Sequence, residues 1–277
     1  MSRLLTRLRA SLADLSPVLS RVAEYVLEHP DAVLYHSVTE LAEATRSSEG
    51  SIIRFCQDLG FSGFQEFKLT LAIESGSLPR NGAEPVAANN TNLMNELVDH
   101  AATSLSETGL LYEQDSFEHV AERMISAGRV DIYGVGASGV IAEYFAYKLI
   151  RLGFTAQSYT DMHLASMSAS NLSATDVAIA ISSSGSTLDT LQALKIAKKS
   201  GAFTVAVTNR LKSPLAKVAS RSLFASPPES PLTGGDVFAK IGQLLVLEAL
   251  TRLMVTRDER LQEHVRRTAQ VVAERSM

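Results

Sequence analysis

Five short apolar runs, Val130–Tyr133, Thr155–Tyr159, Val177–Ile181, Phe203–Val207 and Leu223–Ala225, are separated by stretches whose apolar residues recur at helical spacing. Strands that alternate with helices of about 10–15 residues pair in parallel, because the chain must cross one face of the sheet before it can add the next strand. The pattern predicts a five-stranded parallel sheet between two helical layers, a three-layer α/β/α sandwich. Helical periodicity leads into this region over Leu93–Leu105 and Phe117–Ile125 and closes it over Val237–Met254. A charged tail follows, with Leu261, Val265, Ala269 and Val272 on one face.

Upstream the periodicity is helical throughout. Leu4, Leu8, Leu12 and Leu15 form one stripe, and Val18, Val22, Tyr25 and Val26 another. Between the two patterns lies SGSLPRNGAEPVAANNTN, residues 75–92, which has almost nothing to bury and reads as a linker. The expected organisation is an all-α module over 1–75, a linker over 76–92, an α/β domain over 93–256 and a helical tail over 257–277.

Composition removes several classes. The single cysteine, Cys56, excludes an internal disulfide framework and a cysteine-cluster metal site. The longest apolar candidate, 241–253, is cut by Gln243, Glu248 and Arg252, so no run reaches the ~18 residues of a membrane span. The N-terminus has basic residues but no continuous apolar core, and the expected location is the cytoplasm.

Two loops carry the chemistry. Residues 131–139, DIYGVGASG, place Gly134, Gly136 and Gly139 as G-x-G-x-x-G between a strand and a helix. A dinucleotide fold also asks for an acid about 20 residues on, and Asp161 stands near that place. The third strand runs directly into Ser182-Ser-Ser-Gly-Ser-Thr187 and then into a helical stretch, 188–200. Ser186 or Thr187 alone could be a helix cap. Five hydroxyls around one glycine exceed what a cap uses, and suit a compact dianion such as a phosphate monoester.

GVGASG, DVAIAISSSGST and LKIAKKSGAFTVAVTN together resemble the SIS (sugar isomerase) domain over roughly residues 117–254. That resemblance implies a phosphorylated sugar at the ends of the strands. Ser138 and Gly136 of the first loop, and Ser182, Ser184 and Thr187 of the second, would hold the phosphate, assisted by the backbone of Ser183 and Gly185. Many members carry an acid where Ser186 stands. An isomerase would need a general base. Glu143, Asp161, His163 and Asp236 each have a plainer reading as a cap, a turn or a solvated residue, so no catalytic residue, metal or cofactor is assigned.

Residues 37–61, SVTELAEATRSSEGSIIRFCQDLGF, have the organisation of a helix-turn-helix. Leu41, Ala42 and Ala44 form a first short helix, and residues 45–47 a turn. A second helix capped by Ser48 or Ser47 buries Ile52, Ile53, Phe55, Cys56 and Leu59 and ends at Gly60. In this motif residues near the start of the second helix face base edges. Here those are Ser48, Glu49, Gly50, Ser51 and Arg54, with Arg46 and Lys68 as backbone contacts. Against this, residues 1–75 hold seven cations and ten anions, net −3, a poor match to DNA phosphates.

The run SVTELAEATRSSEGSIIRFCQDLGFSGFQEFKLTLA is very similar to the N-terminal domain of RpiR-type bacterial transcription regulators, whose architecture is a helix-turn-helix followed by a SIS domain. The resemblance implies a homodimer or homotetramer that binds double-stranded operator DNA under control of a phosphorylated sugar, with genes of carbohydrate metabolism as its targets. Two rivals stand beside it: a phosphosugar isomerase with an accessory N-terminal domain, and a nicotinamide-dependent oxidoreductase.

Overall fold

The computed structural model describes residues 3–12, 15–75, 93–229, 231–232 and 235–274; the expected linker over 76–92 lies outside them. The N-terminal region consists of α1 (Arg3–Ser11), α2 (Pro17–Glu28), α3 (Pro30–Tyr35), α4 (Val38–Ala44), α5 (Glu49–Asp58) and α6 (Phe64–Glu74). Their apolar faces converge on one core that includes Leu8, Val22, Val26, Leu41, Ile52, Phe55, Phe67 and Leu71.

The second region opens with α7 (Leu93–Leu110) and α8 (Gln114–Ile125). It then runs β1 (Val130–Tyr133), α9 (Ala137–Arg151), β2 (Ala156–Tyr159), α10 (Met162–Ala169), β3 (Val177–Ile181), α11 (Leu188–Lys199), β4 (Phe203–Thr208), α12 (Pro214–Val218) and β5 (Arg221–Phe224). It closes with α13 (Val237–Arg257) and α14 (Glu259–Ala273). All four strand pairings are parallel, in the order β2-β1-β3-β4-β5. The last strand starts two residues earlier than its apolar run, because pairing with β4 begins at the exposed Arg221, which carries no apolar signal.

Alternation along the strands explains the two helical layers. In β3, Val177, Ile179 and Ile181 face one layer, with Val205 and Val207 of β4 beside them, and pack against α8, α9 and α13. Ala178, Ala180 and Ala206 face the other, where their small size leaves room for α10 and α11. The tail helix α14 turns Leu261 and Val265 onto the core of its own domain, and Thr268 donates to the Arg151 carbonyl at 3.2 Å. The apolar face of the tail is therefore in part an internal one.

Strand order reverses between β1 and β3: from β1 the chain moves outward to β2, then returns across to β3. In an open parallel sheet, the two loops that leave such neighbouring strands turn to opposite faces and open a crevice between them. Tyr133 is in register with Ala180, so the first loop leaves the sheet one residue short of level with the second. The first loop has no space for a side chain at its start. A Cβ on Gly134 would lie 2.6 Å from the carbonyl oxygen of Ser138.

Candidate functional site

The crevice at the carboxyl ends of β1 and β3 is bordered by residues 134–138 and 182–187. Of the five helices that follow the five strands, three have a side-chain cap. Asp161 accepts from the backbone of His163 and Leu164 at the start of α10, Ser213 from Ala216 at the start of α12, and Asp236 from Phe238 at the start of α13. The two at the crevice have none. α9 starts at Gly136, which has no side chain to offer, and Thr187 at the start of α11 makes no capping hydrogen bond. Both helices thus present unsatisfied N–H groups and the positive end of their dipoles to the same crevice.

The hydroxyls of the second loop are organised by one another. Ser182 Oγ lies 3.0 Å from Thr187 Oγ1 and accepts from the Gly185 N–H at 3.1 Å. Ser184 Oγ accepts from the Ser186 N–H at 3.2 Å. Gly185 has φ +59°, and a Cβ there would lie 2.3 Å from Ser213 Oγ, so glycine is required twice over. In the first loop, Ser138 occupies the first turn of α9 and is nearly buried.

Ser183 is different: its hydroxyl turns inward and accepts from Lys240 and, at 3.0 Å, from Gln243 of α13. Gln243 also donates to Asn209 at 2.8 Å, and Lys240 lies 3.0 Å from Glu229. This buried polar group beneath the loop was not foreseen from sequence. Its trace there is two polar residues one turn apart, Lys240 and Gln243, in the otherwise apolar first half of α13, residues 237–247. Of the four residues considered as bases, Asp161 and Asp236 are engaged as caps, and Glu143 and His163 are exposed.

The helix-turn-helix region is formed by α4 and α5. Ser37 and Glu40 make a reciprocal capping box on α4, and Ser48 Oγ accepts from the Ser51 N–H to cap α5. Ile52, Phe55 and Cys56 are buried, and burial pushes the Cys56 thiol up to about 12, which makes it inert. Ser48, Gly50, Arg54 and Arg46 are exposed, and Ser51 is half-buried. Arg54 lies 3.8 Å from Asp58, one turn on. Glu49 accepts from Thr39 at 2.5 Å and from Lys217 of α12 at 2.7 Å. Burial would raise its carboxyl; the hydrogen bonds from Lys217 and Thr39, with the charges of Lys217 and Lys195, outweigh that and hold it below its ordinary value.

Lys68 does not belong with the exposed cations. It is 3% exposed and donates to the carbonyls of Leu34 at 3.2 Å and His36 at 2.9 Å. A duplex cannot reach it there, which corrects the expectation of a phosphate contact. Burial, then the nearby charge of Arg210, pulls its amine from 10.5 down to about 7 against the opposing pull of Glu40.

Two family models match the chain: "Helix-turn-helix domain, rpiR family" over residues 2–77 and "SIS domain" over residues 123–253. An uncharacterised helix-turn-helix-type transcriptional regulator of Caldanaerobacter subterraneus is 34% identical over 252 residues, 90% of this chain and 89% of its own. The helix-turn-helix-type transcriptional regulator RpiR of Escherichia coli K12 is 31% identical over 234 residues, 83% of this chain and 78% of its own. The chain belongs to the rpiR family of helix-turn-helix transcriptional regulators. A solved structure of the Vibrio vulnificus NanR protein complexed with ManNAc-6P superposes on this regulator with a TM-score of 0.92 at 34% identity, covering 99% of this chain and 100% of that one. No described helix of the regulator is long and apolar enough to cross a membrane.

The buried amine gives a pH test. With an unfolded value of 10.5 and a folded value of about 7, Lys68 binds more protons unfolded than folded between those pH values. Unfolding free energy therefore rises with pH across that window. Lys68→Met should flatten the rise, measured by denaturant unfolding at several pH values; an unchanged slope would assign the amine an ordinary affinity for protons.

Proposed function

We propose that this regulator binds operator DNA through α4 and α5, and that a phosphorylated sugar in the β1/β3 crevice modulates its affinity for that DNA. The observation that carries the effector half is the capping pattern. Helix N-termini left open on both sides of one crevice, beside a loop of hydroxyls with Lys240 beneath it, fit a compact dianion. The NanR structure complexed with ManNAc-6P supports a phosphosugar as its class. Ser138, Ser182, Ser184 and Thr187 would contact the phosphate, with Gly136, Gly185 and the backbone of Ser183; the Ser183 hydroxyl serves the loop instead. The engagement of Asp161 and Asp236 as caps supports binding without turnover.

The operator would lie against the exposed residues at the start of α5, with Ser48, Gly50, Ser51 and Arg54 at the bases and Arg46 near the backbone; Glu49, expected beside them, is engaged by Thr39 and Lys217 instead. We further propose that the regulator is a homodimer, as two-half-site reading commonly requires. Val140 is 64%, Tyr144 42% and Tyr147 53% exposed, and their spacing puts them on one face of α9. Light scattering should give twice the chain mass, and Tyr147→Glu should lower it to one; a monomeric wild type would remove this part of the reading.

A thermal-shift panel of phosphosugars, ManNAc-6P and inorganic phosphate included, followed by DNA binding with each hit, tests the whole. Ser184→Ala should weaken the best ligand by about 1.5–3 kcal/mol, the range for a hydrogen bond to a charged group. An unchanged dissociation constant would take the second loop out of the site. Arg54→Ala should cost about 1–3 kcal/mol of operator affinity if it reads a base, while ligand-induced stabilisation stays intact. Equal affinities at matched salt would place the operator elsewhere.

A further inference from the structure

The segment from Asn209 to Lys217, which is the β4–α12 connection together with most of α12, touches both candidate sites at once. On one side it supports the hydroxyl loop. The Leu215 N–H donates to the Gly185 carbonyl at 2.9 Å, and the Asn209 N–H to the Ser183 carbonyl at 3.2 Å. Ser213 stands where a Cβ of Gly185 would be. With no slack between Gly185 and Ser213, the loop cannot shift toward the segment without moving it.

On its other side the segment holds the start of both helix-turn-helix elements. The Lys212 carbonyl accepts from Ser37 Oγ, the cap of α4, at 2.5 Å. Arg210, buried, lies 3.8 Å from Glu40 of the same capping box and donates to the Glu229 carbonyl at 2.9 Å. Lys212 pairs with Glu43, and Lys217 with Glu49 in the first turn of α5 at 2.7 Å. Three cations of the sensor domain thus meet three carboxylates of a module whose own balance is net −3. Two of these three pairs are between half-exposed side chains, which makes them individually weak and the docking easily shifted.

We propose that the Asn209–Lys217 segment is the docking arm through which occupancy of the crevice reaches the DNA-reading helices, with the pairs Arg210–Glu40, Lys212–Glu43 and Lys217–Glu49 as its latch. This rests on the effector and operator reading above. The NanR complex with ManNAc-6P matches this chain over 99% of its length, both regions included, so the docked arrangement is compatible with a filled crevice. In this proposal ligand favours the latched form, and the latch fixes where α5 points.

The test uses the full chain with spin labels at Gln57→Cys on α5 and Lys199→Cys on α11, both exposed, while the buried Cys56 stays unlabelled. With labelled protein diluted into an excess of unlabelled protein, so that labelled protomers pair with unlabelled ones, pulsed dipolar spectroscopy should give one narrow distance that ManNAc-6P, or inorganic phosphate at higher concentration, narrows further. Lys212→Glu with Lys217→Glu should broaden that distribution, and adding Glu43→Lys and Glu49→Lys should restore it. The charge-reversed variant should keep its ligand-induced thermal shift but lose the change in DNA affinity that ligand causes in the wild type. Distributions that are the same in wild type and reversed variant would overturn the latch. So would a variant whose DNA affinity falls while its ratio with and without ligand is kept, since the lysines would then be touching DNA phosphates directly. A wild type that binds no DNA fragment and no phosphosugar would instead defeat the functional reading, and the label distances would still judge the docking.

Discussion

The pairing of β1 with β3, in register from Val130 opposite Val177 to Tyr133 opposite Ala180, determines where everything else can happen. Adjacent parallel strands stand about 4.8 Å apart, so loops leaving them at the same level emerge side by side. Here the helices that follow go to opposite faces, and their N-termini converge on one crevice. Each terminus is equivalent to about half a positive charge. Left uncapped, each also forgoes about 1 kcal/mol that an ordinary Ser, Thr or Asp cap contributes. The same domain caps α10, α12 and α13 with Asp161, Ser213 and Asp236. Among the helices that directly follow strands, the omission is therefore confined to α9 and α11 at the switch point.

Much of this was legible in the sequence because it depends on period and residue type. Alternation of Val and Ile with Ala in VAIAI marks a strand buried on both faces, with a close-packed helix on the alanine side. The capping serines and the small residues between α4 and α5 mark the helix-turn-helix. What was not legible depends on tertiary partners. Ser182, Ser183 and Ser184 look equivalent in a row. They separate only because Lys240 and Gln243 reach Ser183 from a helix some 60 residues later. Lys68 was misread for a different reason. Phe64, Phe67, Lys68, Leu71 and Ala72 share the buried stripe of α6, and the phase already placed it inside. Its charge suggested solvent, but two carbonyls at the end of α3 accept its protons instead.

The acidity of the N-terminal module is the feature least compatible with DNA when that module is taken alone. In the folded chain Glu40, Glu43 and Glu49 face Arg210, Lys212 and Lys217. These carboxylates serve the domain contact, while Arg46 and Arg54 stay exposed near the start of α5. Net charge read from a sequence segment counts groups without their partners. The relevant quantity for a polyanion is the field of the assembled surface.

A ligand alters DNA affinity only to the extent that its own affinity differs between two arrangements of the protein. That condition asks for an element whose position both sites sense, and for an equilibrium shallow enough to move. Gly185 packed on Ser213 meets the first requirement at the crevice, and Lys217 on Glu49 meets it at the recognition helix. Half-exposed ion pairs meet the second. Two-site coupling typically amounts to about 1–3 kcal/mol, a range that a few weak pairs can span and a buried apolar interface would exceed. The seam between sensor and reader, charged at Glu40, Glu43 and Glu49 with the apolar contact of Leu232 beside it, is thus of the kind a reversible switch can use.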